Sequence, residues 1–150
     1  MSYKIEFHSK WSDFDANQHM RHSAYNDYAA EARLRFLKDN GFSVDVMKKN
    51  NVGPVIFTEN TVFRREIGLG EDLYVELFLE AASKKAERFK IMHHIYKTDG
   101  VLAATISVYL AWIDLSKRKL TVPPKEILTT LNHIDKLPNF EEIILKEKIN

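Results

Sequence analysis

Trp11-Ser12-Asp13-Phe14-Asp15-Ala16-Asn17-Gln18-His19-Met20-Arg21-His22-Ser23-Ala24-Tyr25-Asn26-Asp27-Tyr28-Ala29-Ala30-Glu31-Ala32-Arg33 is a polar loop that runs straight into an amphipathic helix. From residue 23 to residue 40 the apolar period is helical: Tyr25, Tyr28, Ala29, Ala32 and Phe36 fall on one stripe. Ser23 is the expected N-cap, Asp27 falls in the first turns, and Gly41 is placed for the left-handed residue that follows the last turn. A helix start offers free backbone N–H groups and the positive end of a dipole, which favour an oxygen that carries or develops negative charge. Asp15, just upstream, is a carboxylate that a loop can aim at the same point. The stretch therefore combines a candidate base with an oxyanion-binding helix end.

Outward from this stretch, residues 3–11 alternate polar and apolar, the pattern of a half-buried strand. Residues 43–51 read as a short helix or irregular turn, and Gly53-Pro54 punctuates the chain before a strand over 55–65. Gly68 and Gly70 precede a strand over 73–82. Strands over 88–98 and 101–114 are joined by Asp99-Gly100, a two-residue hairpin signal. Pro123-Pro124 ends the sheet region, and residues 125–132 and 139–148 read as short surface helices. The order is strand, long helix, then four strands in antiparallel succession, so one helix is available to cover one face of one sheet. That is an α+β layout.

The chain has 150 residues, 45% of them hydrophobic and 29% charged, which suits a single globular domain. Its 22 Lys and Arg against 21 Asp and Glu leave a formal charge of +1, so no overall field points to nucleic acid or to an anionic membrane. Any anionic ligand must be met locally. There is no cysteine, which excludes a disulfide scaffold, a Cys-based zinc site and a Cys nucleophile. The first residues carry no apolar signal core, and the longest apolar run, 108–113, is far too short for a membrane span. The expectation is a soluble, cytoplasmic protein. His93 and His94 are adjacent on one strand and face opposite sides, which argues against a shared metal, and no metal is expected.

Asp15-Ala16-Asn17-Gln18-His19-Met20, with Tyr25 and Glu31-Ala32-Arg33, resembles the signature of hotdog-fold acyl-CoA thioesterases of the 4-hydroxybenzoyl-CoA thioesterase-like group. Phe63-Arg64-Arg65-Glu66-Ile67-Gly68-Leu69-Gly70-Glu71-Asp72 is similar to a bend of that family, and Trp112-Ile113-Asp114 with Pro123-Pro124 to its last strand and exit. The resemblance covers roughly residues 3–126. It implies a curved antiparallel sheet wrapped around one central helix, a single domain over 1–150 with a helical extension from about 125, and hydrolysis of an acyl-CoA without a dissociable cofactor. An acyl-carrier-protein is the less favoured substrate. It also implies a pocket between two subunits of a homodimer or homotetramer. The family more often has small or aromatic residues where Asn17-Gln18 stand and Asn-Asn at Arg21-His22, so pocket shape and polarity are not carried over.

By this resemblance Asp15 activates a water or attacks the thioester itself, and the backbone N–H groups of His22 and Ser23 polarise its carbonyl. A bland reading gives Asp15 a turn- or helix-capping role. His19 orients Asp15 or supports the loop. Tyr25 is a candidate pocket wall, whereas Tyr28 reads as core, Asp13 as structural and Glu31 as a partner for a neighbouring charge. On the strand over 55–65, Phe57 and Phe63 share a face with Glu59 and Thr61, which makes those two polar residues candidate pocket lining. Arg64, Arg65, Lys84, Lys85 and Arg88 form the densest basic group and are the candidates for the phosphates of CoA. Two competing readings remain. One is a hotdog hydratase or dehydratase, although Asp15 and His19 are one residue closer than in that motif and lack its proline; the other is an acyl-CoA-binding module without turnover.

Overall fold

The structure is a computed structural model and describes residues 2–146. Its elements in chain order are β1 (Tyr3–Phe7), α1 (His22–Asp39), α2 (Val44–Lys49), β2 (Val52–Phe63), β3 (Leu73–Ala82), β4 (Arg88–Lys97), β5 (Leu102–Asp114), α3 (Glu126–Leu131) and β6 (Lys136–Glu142). Five strands form an antiparallel sheet in the order β1-β3-β4-β5-β2, and β6 adds to β3 in parallel. The expected succession of four neighbouring strands is corrected at β2, which pairs with β5 at the far edge. Its sequence alternation records a face but not a neighbour.

One face of the sheet covers α1. The registers line up Val75 with Ile95 and Ala104, Leu77 with His93 and Ile106, and Leu79 with Ile91 and Val108, all buried. Against them α1 buries Tyr25, Tyr28, Ala29, Ala32 and Phe36, the stripe read from the sequence. Ala29 and Ala32 present only methyl groups, so the helix axis sits close to the strands, and each large apolar side chain buried there contributes about 1.5–3 kcal/mol. Gly41 ends the helix with φ +87°, and Gly100 turns the β4–β5 hairpin at φ +88°. Ser23 is not the N-cap. That position is Arg21, whose Nη1 bonds the Ser23 hydroxyl inside the first turn.

Other local readings are corrected by long-range pairing. β1 stops at Phe7, and Trp11–Asp13 form a 3-10 turn instead of continuing the strand. β2 ends at Phe63 because the amides of Arg64 and Arg65 both donate to the carbonyl of Ala103, at 2.8 and 3.0 Å, which breaks the ladder. A bulge between Ile56 and Thr58 sends Phe57 to the outer face against Tyr109, so Phe57 does not share the face of Glu59, Thr61 and Phe63. The expected helix over 139–148 is strand β6 as far as Glu142, and residues 147–148 lie outside the described residues. β1 covers the edge of β3 only to Leu77, leaving Leu79–Ala82 open. There the Leu79 amide donates to Asp135 and the Ile143 amide to Ala82, and Pro138 is tolerated in such an edge strand.

His93 is the polar member of the inward layer. Its Nδ1–H donates to the Ile106 carbonyl at 2.8 Å, and Nε2 accepts from Arg33 Nη1 at 3.2 Å. Burial, reinforced by the Arg33 charge, lowers its pKa to about 3. Between about pH 6.5 and pH 3 the unfolded chain binds a proton at His93 that the folded chain refuses, so stability falls as pH falls through this window. The slope it adds reaches about 1.4 kcal/mol per pH unit. Urea unfolding at pH 7 and pH 5 should show a smaller loss of stability in His93→Gln than in the wild type; equal losses would rule out this origin.

Candidate active site

The loop before α1 is built on a buried carboxylate. Asp13, 3% exposed, accepts the Lys10 amide at 2.8 Å and the Tyr28 hydroxyl from α1, while its own carbonyl accepts the Arg21 amide at 2.8 Å. Burial and the bond to Asp13 push the Tyr28 phenol well above its ordinary range, so it remains a donor. The start of the loop is tied to β3's approach by Asp72, which accepts the Ser9 amide at 2.8 Å and thereby lies below the usual carboxylate range. The expectation that Asp13 is structural holds in this geometry.

Between these anchors the chain makes a tight turn. Asp15 N–H donates to the His19 carbonyl at 2.9 Å and Gln18 N–H to the Asp15 carbonyl at 3.0 Å, with Gln18 at φ 64°. Asp15 Oδ1 accepts the Asn17 amide at 2.9 Å and the His19 amide at 3.4 Å. The bland capping role is therefore real, and it occupies one carboxylate oxygen; Oδ2 has no hydrogen-bond partner among the described residues. The turn is clasped to residues 66–69: Met20 N–H donates to Ile67, Leu69 N–H to Gln18, and His19 Nε2 lies 2.9 Å from Glu66 Oε2.

A cleft of ≈ 370 Å³ opens between this turn, the start of α1 and the end of β2. Asp15, His19, His22, Tyr25, Arg64 and Arg65 line it, so six of the residues singled out in the sequence meet there. The Tyr25 ring forms one wall, edge-on to Phe63 at 5.2 Å, and burial raises its phenol pKa. The amides of His22 and Ser23 donate to no acceptor among the described residues, and α1 starts without a side-chain cap. Beside them the Arg21 guanidinium is held by the Ser12 carbonyl at 3.0 Å, by Ser23 and by Asp27 at 3.7 Å. Ser23 itself adjoins the cleft without lining it.

The remaining candidates lie elsewhere. Thr61 Oγ1 bonds Asn26 at 3.3 Å farther down β2, and Glu59 beyond it is exposed and acts electrostatically on Arg33. Lys84, Lys85 and Arg88 sit at the β3–β4 turn, at the opposite end of the sheet from Arg64 and Arg65, so one chain does not gather the five basic residues. Arg88 instead lies over the Phe57 ring at 5.3 Å. Glu31 pairs with Arg35 at 2.9 Å, the neighbour interaction expected of it. Sequence reasoning missed Glu66 as cleft lining. Its only local signal was its place beside Arg64-Arg65, because the contact with His19 spans two distant segments.

The family described as the thioesterase-like superfamily matches residues 9–131. A hypothetical protein of Staphylococcus aureus, solved in complex with CoA, is 22% identical and superposes with a TM-score of 0.83, covering 100% of this chain and 95% of its own. A DHNA-CoA thioesterase from Staphylococcus aureus is 22% identical with a TM-score of 0.77, over 95% of this chain and 99% of its own. A 1,4-dihydroxy-2-naphthoyl-CoA thioesterase from Synechocystis is 18% identical with a TM-score of 0.77, over 88% of this chain and 96% of its own. Among curated proteins none matches the chain. The fold is thus the hotdog fold, as the sequence resemblance implies.

Because the Tyr28 hydroxyl satisfies a buried carboxylate, Tyr28→Phe should destabilise the protein by about 1–3 kcal/mol. Urea unfolding at neutral pH measures it. A change within a few tenths would mean that the loop is anchored without this bond.

Proposed function

The chain belongs to the thioesterase-like superfamily, and from that premise we propose that it hydrolyses an acyl-CoA thioester to a free acid and CoA. The observation that carries the reading is one cleft lined by Asp15, whose Oδ2 has no hydrogen-bond partner among the described residues, and by His22 at the start of α1, where the amides of His22 and Ser23 donate to no acceptor among the described residues. In this reading the thioester carbonyl points its oxygen at the two amides, where charge that develops in the tetrahedral intermediate meets the helix dipole. Asp15 takes a proton from an attacking water, the carbon–sulfur bond breaks, and the CoA thiolate leaves and is protonated. Asp15 Oδ1 stays bonded to the turn, which holds the carboxylate in place during the step. His19, tied to Glu66, keeps the turn closed; Tyr25 and Phe63 shape the mouth; Arg64 and Arg65 at the rim suit the phosphates of CoA.

The assembly proposed is a homodimer. β2 is an edge strand 12 residues long, and it exposes Ile56, Phe57, Val62 and Phe63. A long apolar edge is a template for pairing. Such pairing also gives Lys84, Lys85 and Arg88 a route to CoA, since within one chain they are remote from the cleft. Acyl-CoA that binds tightly and releases no thiol would instead favour a binding module.

Free thiol release from aromatic, short, medium and long acyl-CoAs, compared between wild type and Asp15→Asn, tests the chemistry. The variant should fall by at least about a hundredfold if Asp15 is the base, and equal rates would remove it from the mechanism. Light scattering should give a particle of at least two chains; an active monomer would sink the shared assembly.

A further inference from the structure

Tyr25 is the one side chain of α1 that is both buried, at 3% exposed, and part of the lining of the Asp15 cleft. It stands three residues beyond His22, so it shares the face of the first turn, and a helical side chain leans back over the turn that precedes it. That turn carries the open amides. Phe63 holds the ring edge-on at 5.2 Å from β2, which fixes its place. The backbone of Ile67 hydrogen-bonds the phenol oxygen and favours its ionised form, so the Ile67 amide donates to it. The Ile67 carbonyl accepts the Met20 amide at 2.8 Å. The hydroxyl of Tyr25 therefore lies at the seam between the Asp15 turn and residues 66–69.

The bond from Ile67 occupies the oxygen as an acceptor and leaves the O–H proton unspent, with no acceptor for it among the described residues. Burial outweighs that bond and, with the charges of Glu66 and Glu71, holds the phenol above its ordinary range. The proton stays on at neutral pH. Other donors that line the cleft are engaged or lack a fixed place: His19 Nε2 lies 2.9 Å from Glu66, Arg65 Nη1 donates to the Arg64 carbonyl at 3.2 Å, and the His22 side chain is exposed. Tyr25 is a neutral donor held in place beside a helix start that already offers two amides. Such a donor needs no reorganisation when charge develops on a nearby oxygen.

We propose that Tyr25 is a further catalytic residue: its hydroxyl donates a third hydrogen bond to the thioester carbonyl oxygen, beside the amides of His22 and Ser23. This rests on the acyl-CoA reading above and adds a residue to its chemistry. As water adds to the thioester carbon, the oxygen gains negative charge and the bond from Tyr25 strengthens, while the phenol keeps its proton. When the carbon–sulfur bond breaks and the carbonyl re-forms, the bond relaxes. Asp15 remains the group that takes the proton from water. A bond that is stronger in the transition state than in the bound substrate shows in kcat more than in KM. Phe63, which touches the ring and not the reacting atoms, is a positioning residue.

Recognition of the carbonyl is measured apart from turnover with probes that are not hydrolysed. The dethia ketones of octanoyl-CoA and benzoyl-CoA have CH2 in place of sulfur and keep the carbonyl; the thioethers S-octyl-CoA and S-benzyl-CoA keep sulfur and lack it. Calorimetry gives the Kd of each for wild type and Tyr25→Phe, and the tighter-binding pair is read. Tyr25→Phe should weaken the ketone by about threefold to tenfold, the worth of one neutral hydrogen bond, and leave the thioether unchanged. On a hydrolysed thioester the same variant should lower kcat by about a hundredfold or more, with KM little changed. Equal weakening of ketone and thioether would make Tyr25 structural and overturn the proposal, as would no weakening of either, and thiol release in wild type would then leave the hydrolase reading intact. Selective weakening of the ketone with no thiol release from any acyl-CoA would sink the hydrolase reading and leave the carbonyl contact standing. No binding of either ketone to wild type overturns both. Should Tyr25→Phe fail to fold, 3-fluorotyrosine installed at position 25 keeps the hydroxyl and makes it a stronger donor. The ketone should then tighten relative to its thioether at neutral pH, and no selective change overturns the assignment.

Discussion

The structure depends on how closely α1 can lie against the sheet. Ala29 and Ala32, with no side chain beyond a methyl, allow the helix to settle on the inward layer of β3, β4 and β5. Phe36 and Tyr28 then fill the space at either side, the first edge-on to Tyr3 at 5.2 Å and the second against Phe7 at 5.0 Å. Interiors pack at crystal-like density, so the helix has one depth and one direction. That direction aims its N-terminus at the turn around Asp15. The position of the helix start is therefore a consequence of a packing requirement farther along the same helix.

A second constraint holds the loop that faces this end. Asp13 is a carboxylate taken out of water, and its cost is offset by the Lys10 amide and the Tyr28 hydroxyl. Tyr28 belongs to α1, so loop and helix share one polar core contact. On the other side the loop is laced to residues 66–69 by backbone bonds and by the His19–Glu66 pair. Asp15 sits between two fixed seams, with one oxygen committed to its own turn. Preorganisation of this kind suits the roles proposed above for Asp15 and the helix-start amides.

The core is not uniformly apolar. His93 occupies a place that Ile or Leu would fill in the neighbouring registers, and it accepts a bond from a buried Arg33. Trp112, packed between Phe42 at 5.4 Å and Phe89 at 5.7 Å, leaves Nε1 without an acceptor among the described residues. Trp112 trades that bond for packing area.

Local chemistry decided much of this protein at the level of sequence. The 3.6-residue stripe from Tyr25 to Phe36, the Gly41 stop, the Asp99-Gly100 hairpin and the alternation of β3 depend on near neighbours, and a single chain displays them directly. The loop before α1 is legible in the same way, since a loop that precedes a helix needs no distant partner to be recognised, but the N-cap is Arg21 and not Ser23. What tertiary structure alone decided is non-local. The edge of β3 left open by β1 turned a helix-like stretch into β6, and the pairing with β5 put β2 at the far side of the sheet. One bulge reversed the face of Phe57, and the length of the strands separated Lys84, Lys85 and Arg88 from Arg64 and Arg65. Glu66 met His19, and Arg33 met His93, across gaps of 47 and 60 residues. Periodicity carries the face of an element and the place where it stops, because both are set within a few residues; a partner across the sheet is chosen by the packing of the whole chain.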